Sequence, residues 1–274
     1  MDKPTVRSSN LDGANAKIHL DDITVAILAG GLGTRLQSSI GVLPKVLAPV
    51  CGRPFLFYLL DWLCQCGLTR VVLCTGHGAD PIHAFAADYR GPLAICCSHE
   101  ESQKGTAGAL RQALSMLETP YVLAMNGDSY CGVHLSDYIQ WHFEKQSIAS
   151  LVLAHVDDVR RYGSVETDDN GQVVKFIEKT NEPGDGFINA GIYLIHRSIV
   201  SGIASHRQMS LEYEVLPNLA QKGLSGFKTT APFIDIGTAE SFRRAHAFFQ
   251  NWPLTSSGLS VAEPMKPGII NKGR

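Results

Sequence analysis

At 274 residues, with 45% hydrophobic and 18% charged residues, the chain has ordinary globular composition and the length for one large domain with a substantial core. A formal charge of -2 without any Lys/Arg run argues against a nucleic-acid surface, where clustered positive charge supplies most of the affinity. No apolar stretch of about 18 residues and no signal-peptide pattern occurs, which argues against membrane association and for a cytoplasmic protein.

Residues 1–22 are polar and read as a flexible extension, 23–250 as the folded domain, and 251–274, with Pro253, Pro264 and Pro267, as a mobile tail. The first apolar run, Ile23 to Leu28, stops at Gly30-Gly31 like a buried strand entering a loop. Pro54 to Cys66 has helical spacing, Val71 to Cys74 is strand-like, Ala79 to Asp88 helical and Leu93 to Cys97 strand-like. Ala107 to Leu117 is helical, and Tyr121 to Met125 is a strand ending at Asn126-Gly127-Asp128. This alternation predicts a Rossmann-like, doubly wound, mostly parallel α/β sheet.

After Ile148 to His155, short strands at Gly163 to Thr167, Val173 to Ile177 and Ile188 to Ile195 suggest an inserted mixed-sheet region beside that sheet. A helix from Leu211 to Gln221, a strand at Phe233 to Ile236 and a helix from Thr238 to Phe249 return to the core. Phe248 and Phe249 on the last helix serve either core packing or a homodimer contact. The cysteines, Cys51, Cys64, Cys66, Cys74, Cys96, Cys97 and Cys131, lack paired zinc spacing and read as reduced and mostly buried.

The most informative segment is Leu28-Ala29-Gly30-Gly31-Leu32-Gly33-Thr34-Arg35-Leu36, followed by Pro44-Lys45. A glycine-rich turn after a strand lets backbone N–H groups approach phosphate oxygens, and Arg35 and Lys45 add positive charge. The spacing fails the dinucleotide fingerprint, which needs Gly where Leu36 stands, and the P-loop; a dehydrogenase reading loses its support there.

Extended through Leu43-Pro44-Lys45-Val46-Leu47-Ala48-Pro49-Val50 and Gly52-Arg53-Pro54, the segment resembles the signature of sugar-phosphate nucleotidyltransferases, with Val46 where Pro is usual. The resemblance covers most of residues 23–245 and implies that family's GT-A-like fold. It also implies a reaction in which a nucleoside triphosphate and a sugar 1-phosphate give a nucleotide sugar and pyrophosphate. By that resemblance Leu28, Ala29, Gly30, Gly31, Gly33, Thr34, Arg35, Lys45, Glu100, Gly105, Thr106 and Asp128 bind the nucleotide. Asn126, Gly127, Gly163, Glu178, Lys179, Asn189 and Glu212 bind the sugar phosphate, and Arg35, Lys45, Asp128, Lys179 and Asp235 carry the catalytic roles.

Asp128 and Asp235 would share Mg²⁺, a hard ion that takes one or two carboxylates and leaves other positions to phosphate and water. Each aspartate alone also reads as a turn or helix-cap residue. Glu100 favours GTP, because guanine offers adjacent N–H donors that a carboxylate accepts together; adjacent Glu101 is the alternative reader. The loop, Pro54-Phe55-Leu56, the Ile188 to Leu194 segment and Phe233-Ile234-Asp235-Ile236-Gly237 look most like heptose 1-phosphate guanylyltransferases, with mannose 1-phosphate as the competing substrate. A non-catalytic nucleotide-sugar sensor on the same fold is the reading of a different class.

Overall fold

The computed structural model describes residues 19–31, 41, 43–177, 179 and 182–253. Chain order begins with β1 (Ile23–Leu28), β2 (Pro49–Val50), β3 (Arg53–Pro54), α1 (Phe55–Gln65), β4 (Arg70–Thr75), α2 (Asp80–Asp88), β5 (Ala94–His99), α3 (Gly105–Gln112) and β6 (Tyr121–Asn126). It continues with β7 (Ser129–Cys131), α4 (Leu135–Glu144), β8 (Ala149–Val156), β9 (Ser164–Thr167), β10 (Val173–Ile177), β11 (Gly186–His196) and α5 (Arg197–Ser201). The described chain closes with α6 (Leu216–Ala220), β12 (Ser225–Thr229), β13 (Phe233–Asp235) and α7 (Ala239–Phe249).

Seven strands form the central sheet in the order β12-β8-β11-β6-β1-β4-β5. β1 pairs in parallel with both β4 and β6, β4 with β5, and β8 with β12; β11 runs antiparallel to β6 and β8. Alternation along each strand feeds two separate cores. Val25 and Ile27 of β1 join Phe55 and Leu59 of α1, Tyr138 of α4 and Phe249 of α7 on one face. Ala26 of β1 joins Ala107 and Leu110 of α3, Val200 of α5 and Leu216 of α6 on the other. The sheet is therefore doubly wound and mostly parallel, as the sequence predicts.

The insertion is smaller than the sequence suggests. Only β9 and β10 form it, as an antiparallel hairpin. Ile188 to Ile195 lies within β11, an antiparallel member of the central sheet paired with β6 and β8; seven of its eleven residues are buried, so its near-continuous apolar run is that of a strand covered on both faces.

Helix α4 is absent from the sequence reading although Leu135, Tyr138, Ile139 and His142 have helical spacing and are all buried. His134 at its N-cap makes no side-chain capping bond, so the usual start signal is missing. α5 and β12 are likewise unforeseen. The predicted helix at Leu211 to Gln221 is a π-helical turn, Leu211–Val215, running into α6. Helix α7 starts on a capping box in which Thr238 and Ser241 satisfy each other's backbone N–H.

Phe249 is 2% exposed, packed against Tyr58 and Phe55, and Phe248 stacks on Tyr130; core packing accounts for both. Trp252, at the start of the predicted tail, donates to Asp61 and packs on Tyr58. Residues 1–18 and 254–274 lie outside the described residues. Of the cysteines only Cys74 and Cys131 are buried; Cys51 and Cys96 are exposed and all seven are free thiols. Among the described residues no helix is long and apolar enough to cross a membrane.

Candidate active site

In an open α/β sheet a crevice forms beyond the carboxyl ends of the strands where the winding reverses, which here is at β1 between β4 and β6. A cavity of about 1470 Å³ opens there. Leu28, Gly30, Gly31, Lys45, Glu100, Gly105, Thr106, Asn126 and Asp128 line it, together with Gly163, Lys179, Asn189, Glu212 and Asp235. Residues predicted from segments far apart in sequence thus share one wall.

Two predicted residues are not part of that wall. Ala29 is buried, its N–H donating to the Cys74 carbonyl and fastening the glycine turn to β4. Gly127 donates to the Leu28 carbonyl, and a Cβ there would stand 2.7 Å from Val46 and 2.8 Å from that carbonyl. Its role is close packing of β6 against the loop. Gly33, Thr34, Arg35 and Glu178 lie outside the described residues.

Lys45 sits on a 3₁₀ turn, Lys45–Leu47, and its ammonium pairs with Asp128 Oδ2 at 2.5 Å. The short β7/β13 ladder sets Asp235 opposite Ser129, and the Ile236 N–H donates to the Asp128 carbonyl at 2.9 Å. Two residues 107 positions apart are thereby fixed side by side at adjacent strand ends. The Lys45 ammonium and Asp235 Oδ1 both approach one point, lying 3.5 Å and 2.7 Å from where a Gly237 Cβ would stand.

Asp235 is 9% exposed. Burial works to raise its carboxyl, but hydrogen bonds from Tyr162 and the Gly237 N–H, the Arg161 guanidinium and the Ser241 hydroxyl together hold it below the usual value. Arg161 donates to both its oxygens at 3.0 and 3.1 Å, and Gly237 N at 2.7 Å. Tyr162 also donates to it.

Among the described residues no three His, Cys, Asp or Glu side chains cluster to form an all-protein cage. Two neighbouring carboxylates, each now paired with one cation, could instead serve as ligands to a hard divalent ion that takes the rest of its shell from phosphate and water.

Of the two adjacent glutamates, Glu100 faces the cavity and Glu101 is exposed outside it. Glu100 Oε2 accepts from the Lys104 N–H at 3.2 Å, while Oε1 lies 3.2 and 3.1 Å from Cβ positions built on Gly30 and Gly76. Burial pushes its carboxyl above the usual value, more than the Lys104 N–H and ammonium draw it down.

Gly105 opens α3 at φ +74°, and a Cβ there would run into the Met209 carbonyl, which accepts from the Ala107 and Gly108 N–H groups. Thr106 donates to Glu212 Oε2 at 2.7 Å, Ser210 donates to the same oxygen at 2.8 Å, and the Leu211 N–H donates to Thr106. The nucleotide loop and the predicted sugar residue Glu212 are therefore one network.

It continues through Tyr193, fully buried and hydrogen-bonded to Glu212, whose hydroxyl accepts from Asn189 Nδ2 at 2.9 Å. The register of β11 on β8 shifts between Asn189 and Tyr193, and Gly191 at φ +73° makes the bulge that aims Asn189 at the cavity.

Sequence reasoning missed Arg161, Tyr193 and the Tyr162 bond to Asp235. Tyr162-Gly163 carried a signal, but nothing local indicates that Asp235 would claim a guanidinium 74 positions away.

Known proteins bear on this geometry. The nucleotidyl transferase family profile matches residues 24–251. The chain is 33% identical over 227 residues to D-glycero-alpha-D-manno-heptose 1-phosphate guanylyltransferase of Aneurinibacillus thermoaerophilus, covering 82% of this chain and 98% of that one. It is also 33% identical over 229 residues to mannose-1-phosphate guanylyltransferase of Mycobacterium tuberculosis, covering 82% of this chain but only 64% of that protein's length. The crystal structure of HddC from Yersinia pseudotuberculosis complexed with GMP-PN superposes with a TM-score of 0.73 at 34% identity, over 82% of this chain and 99% of HddC.

Proposed function

The chain belongs to the nucleotidyl transferase family, and we propose that it transfers the guanylyl group of GTP to D-glycero-D-manno-heptose 1-phosphate, releasing pyrophosphate. The observation that carries this reading is the convergence of Lys45, Asp128, Asp235, Lys179 and Glu100 on one cavity. A sugar 1-phosphate is already an anionic nucleophile at neutral pH, so the reaction needs no catalytic Ser, Cys or His. It needs two mutually repelling anions held together and their charge offset as the bond order changes.

An oxygen of the sugar phosphate attacks the α-phosphorus, a new P–O bond forms, and the bond to the bridging oxygen breaks with pyrophosphate leaving. Lys45 contacts phosphate near that centre, and Lys179 meets the sugar's phosphate. Arg35 is assigned the outer phosphates of the triphosphate. Enzymes of this family use a divalent metal; here Mg²⁺ would be held by Asp128 and Asp235 and, when bound, would neutralise phosphate charge. Glu212 and Asn189, oriented by Thr106 and Tyr193, have free acceptor and donor capacity for sugar hydroxyls.

Support for guanine comes from Glu100, a buried carboxylate with one oxygen committed to a backbone N–H and the other turned to the glycine turn. Support for heptose comes from the heptose enzyme, which the chain matches at 33% identity over 98% of that protein; the mannose enzyme, matched at the same identity, makes mannose 1-phosphate the competing substrate.

The test is a matrix of four nucleoside triphosphates against heptose, mannose and glucose 1-phosphates, read as pyrophosphate release. GTP with the heptose phosphate should be fastest. Preference for UTP or dTTP would sink the role of Glu100, and preference for mannose 1-phosphate would move the reading to that sugar. Tight nucleotide-sugar binding without any pyrophosphate release would make the protein a sensor.

A further inference from the structure

On the far side of the Gly105 turn, away from the main cavity, lies a second one of about 390 Å³, within the size range of small-ligand sites. Lys104, Arg111, Arg197 and Arg207 line it, and among the described residues no Asp or Glu does. In a chain of net charge -2 such a one-sided lining is a local choice of sign and not a reflection of composition.

The cations are incompletely used within the protein. Arg111 donates through Nε to the Ile203 carbonyl at 3.2 Å, and Arg197 donates to the Leu114 and Leu117 carbonyls. These bonds anchor the stems and fix the forks, yet a guanidinium has five N–H donors, so both keep capacity toward the cavity. Neither makes an ion pair among the described residues, although both are half-buried. Arg207 pairs with Glu214 at the exposed rim. The Lys104 stem packs over Gly108, where an added Cβ would stand 2.6 Å from it. Ser115 and Ser205 add neutral hydroxyls.

We propose that this cavity is an anion site for a phosphate-bearing small molecule, distinct from the site of the transfer reaction. Half-buried guanidiniums held by backbone carbonyls are preorganised for the bidentate geometry that phosphate offers. The site touches the nucleotide loop directly: the Lys104 carbonyl accepts from the Met209 N–H at 2.8 Å, and the Lys104 N–H holds Glu100.

Calorimetric titration of the full chain with inorganic pyrophosphate, without divalent metal, tests this. Lys45→Ala removes a cation of the main cavity and separates the two sites. Binding should persist in Lys45→Ala and weaken about tenfold or more in Arg111→Gln and in Arg207→Ser. Arg207 is exposed and Gln retains an N–H donor, so both variants should keep the wild-type melting temperature, measured in parallel. A second arm with ribose 5-phosphate in the Lys45→Ala background separates a phosphate ester from free polyphosphate as the natural source. Binding that vanishes in Lys45→Ala and is unchanged in both arginine variants overturns the proposal, as does no binding of either probe.

Discussion

The Glu100 carboxyl is held in an environment that disfavours its charge, since burial raises it more than its neighbours lower it. For an acid whose folded value is raised, the stabilising contribution is present below the unfolded value and is lost as pH rises through the folded one. Whenever it is ionised, the carboxylate is therefore a cost to the fold, offset only by what it accepts. Glu100→Gln should keep or raise the melting temperature near pH 7 while raising the KM for GTP about 10-fold to 100-fold, the worth of hydrogen bonds to a charged group. A lower melting temperature with unchanged KM would show that the carboxylate is structural. Asp235 behaves oppositely: its lowered value gives stability above its unfolded value, near pH 4, which disappears as pH falls through the folded value. Asp128 differs again, because its side chain is 38% exposed and, among the described residues, hydrogen-bonded to Lys45. Asp128→Asn removes one metal charge with little volume change, so turnover should fall by about 100-fold or more with the fold intact. Near-normal turnover at low Mg²⁺ would remove Asp128 from the metal site.

Between elements, backbone shape matters as much as charge. Gly105 combines φ +74° with a Cβ position that collides with the Met209 carbonyl. Gly105→Ala should cost about 1–3 kcal/mol of stability and, by pushing Met209 off the Ala107 and Gly108 N–H groups, weaken triphosphate use more than sugar-phosphate use. Calorimetry and the two KM values check this; an equal rise in both KM values would mean a general loosening. The strands β1, β4 and β6 were legible because each is a short apolar run that stops at or just before a Gly, Thr or Asn, and the loop after β1 because its glycines and basic residues are close in sequence. Helix α4 was hidden by a His N-cap without a capping bond, and β11 was misplaced because its pairing with β6 and β8 is settled by topology and not by local pattern. The same limit applies inside the site. Lys45 and Asp128 were each readable from their own segments, whereas the Arg161 and Thr106 bonds span 74 and 106 positions and exist only once the sheet is closed.

Across the whole molecule, both proposed metal carboxylates carry a protein cation: Lys45 on Asp128 and Arg161 on Asp235. Two carboxylates fixed side by side by the β7/β13 ladder repel each other, and burial leaves Asp235 with little solvent to screen it. In the metal-free protein the two basic side chains supply the missing charge, and a divalent ion would have to compete with them. Arg161→Gln removes one competitor. Because Arg161 is 37% exposed, the metal-free protein should lose only about 1–2 kcal/mol, a buried-pair effect reduced by solvent. Mg²⁺ should then restore more than it adds to the wild type, since it binds the folded state without first displacing a guanidinium. Thermal melts of both proteins in chelator and in excess Mg²⁺ measure this directly. A larger Mg²⁺ increment in Arg161→Gln identifies Asp235 as a ligand that trades one cation for another. Equal increments would leave the Arg161 and Asp235 pair as a brace between the β8–β9 connection and the start of α7, and would move the second metal ligand elsewhere.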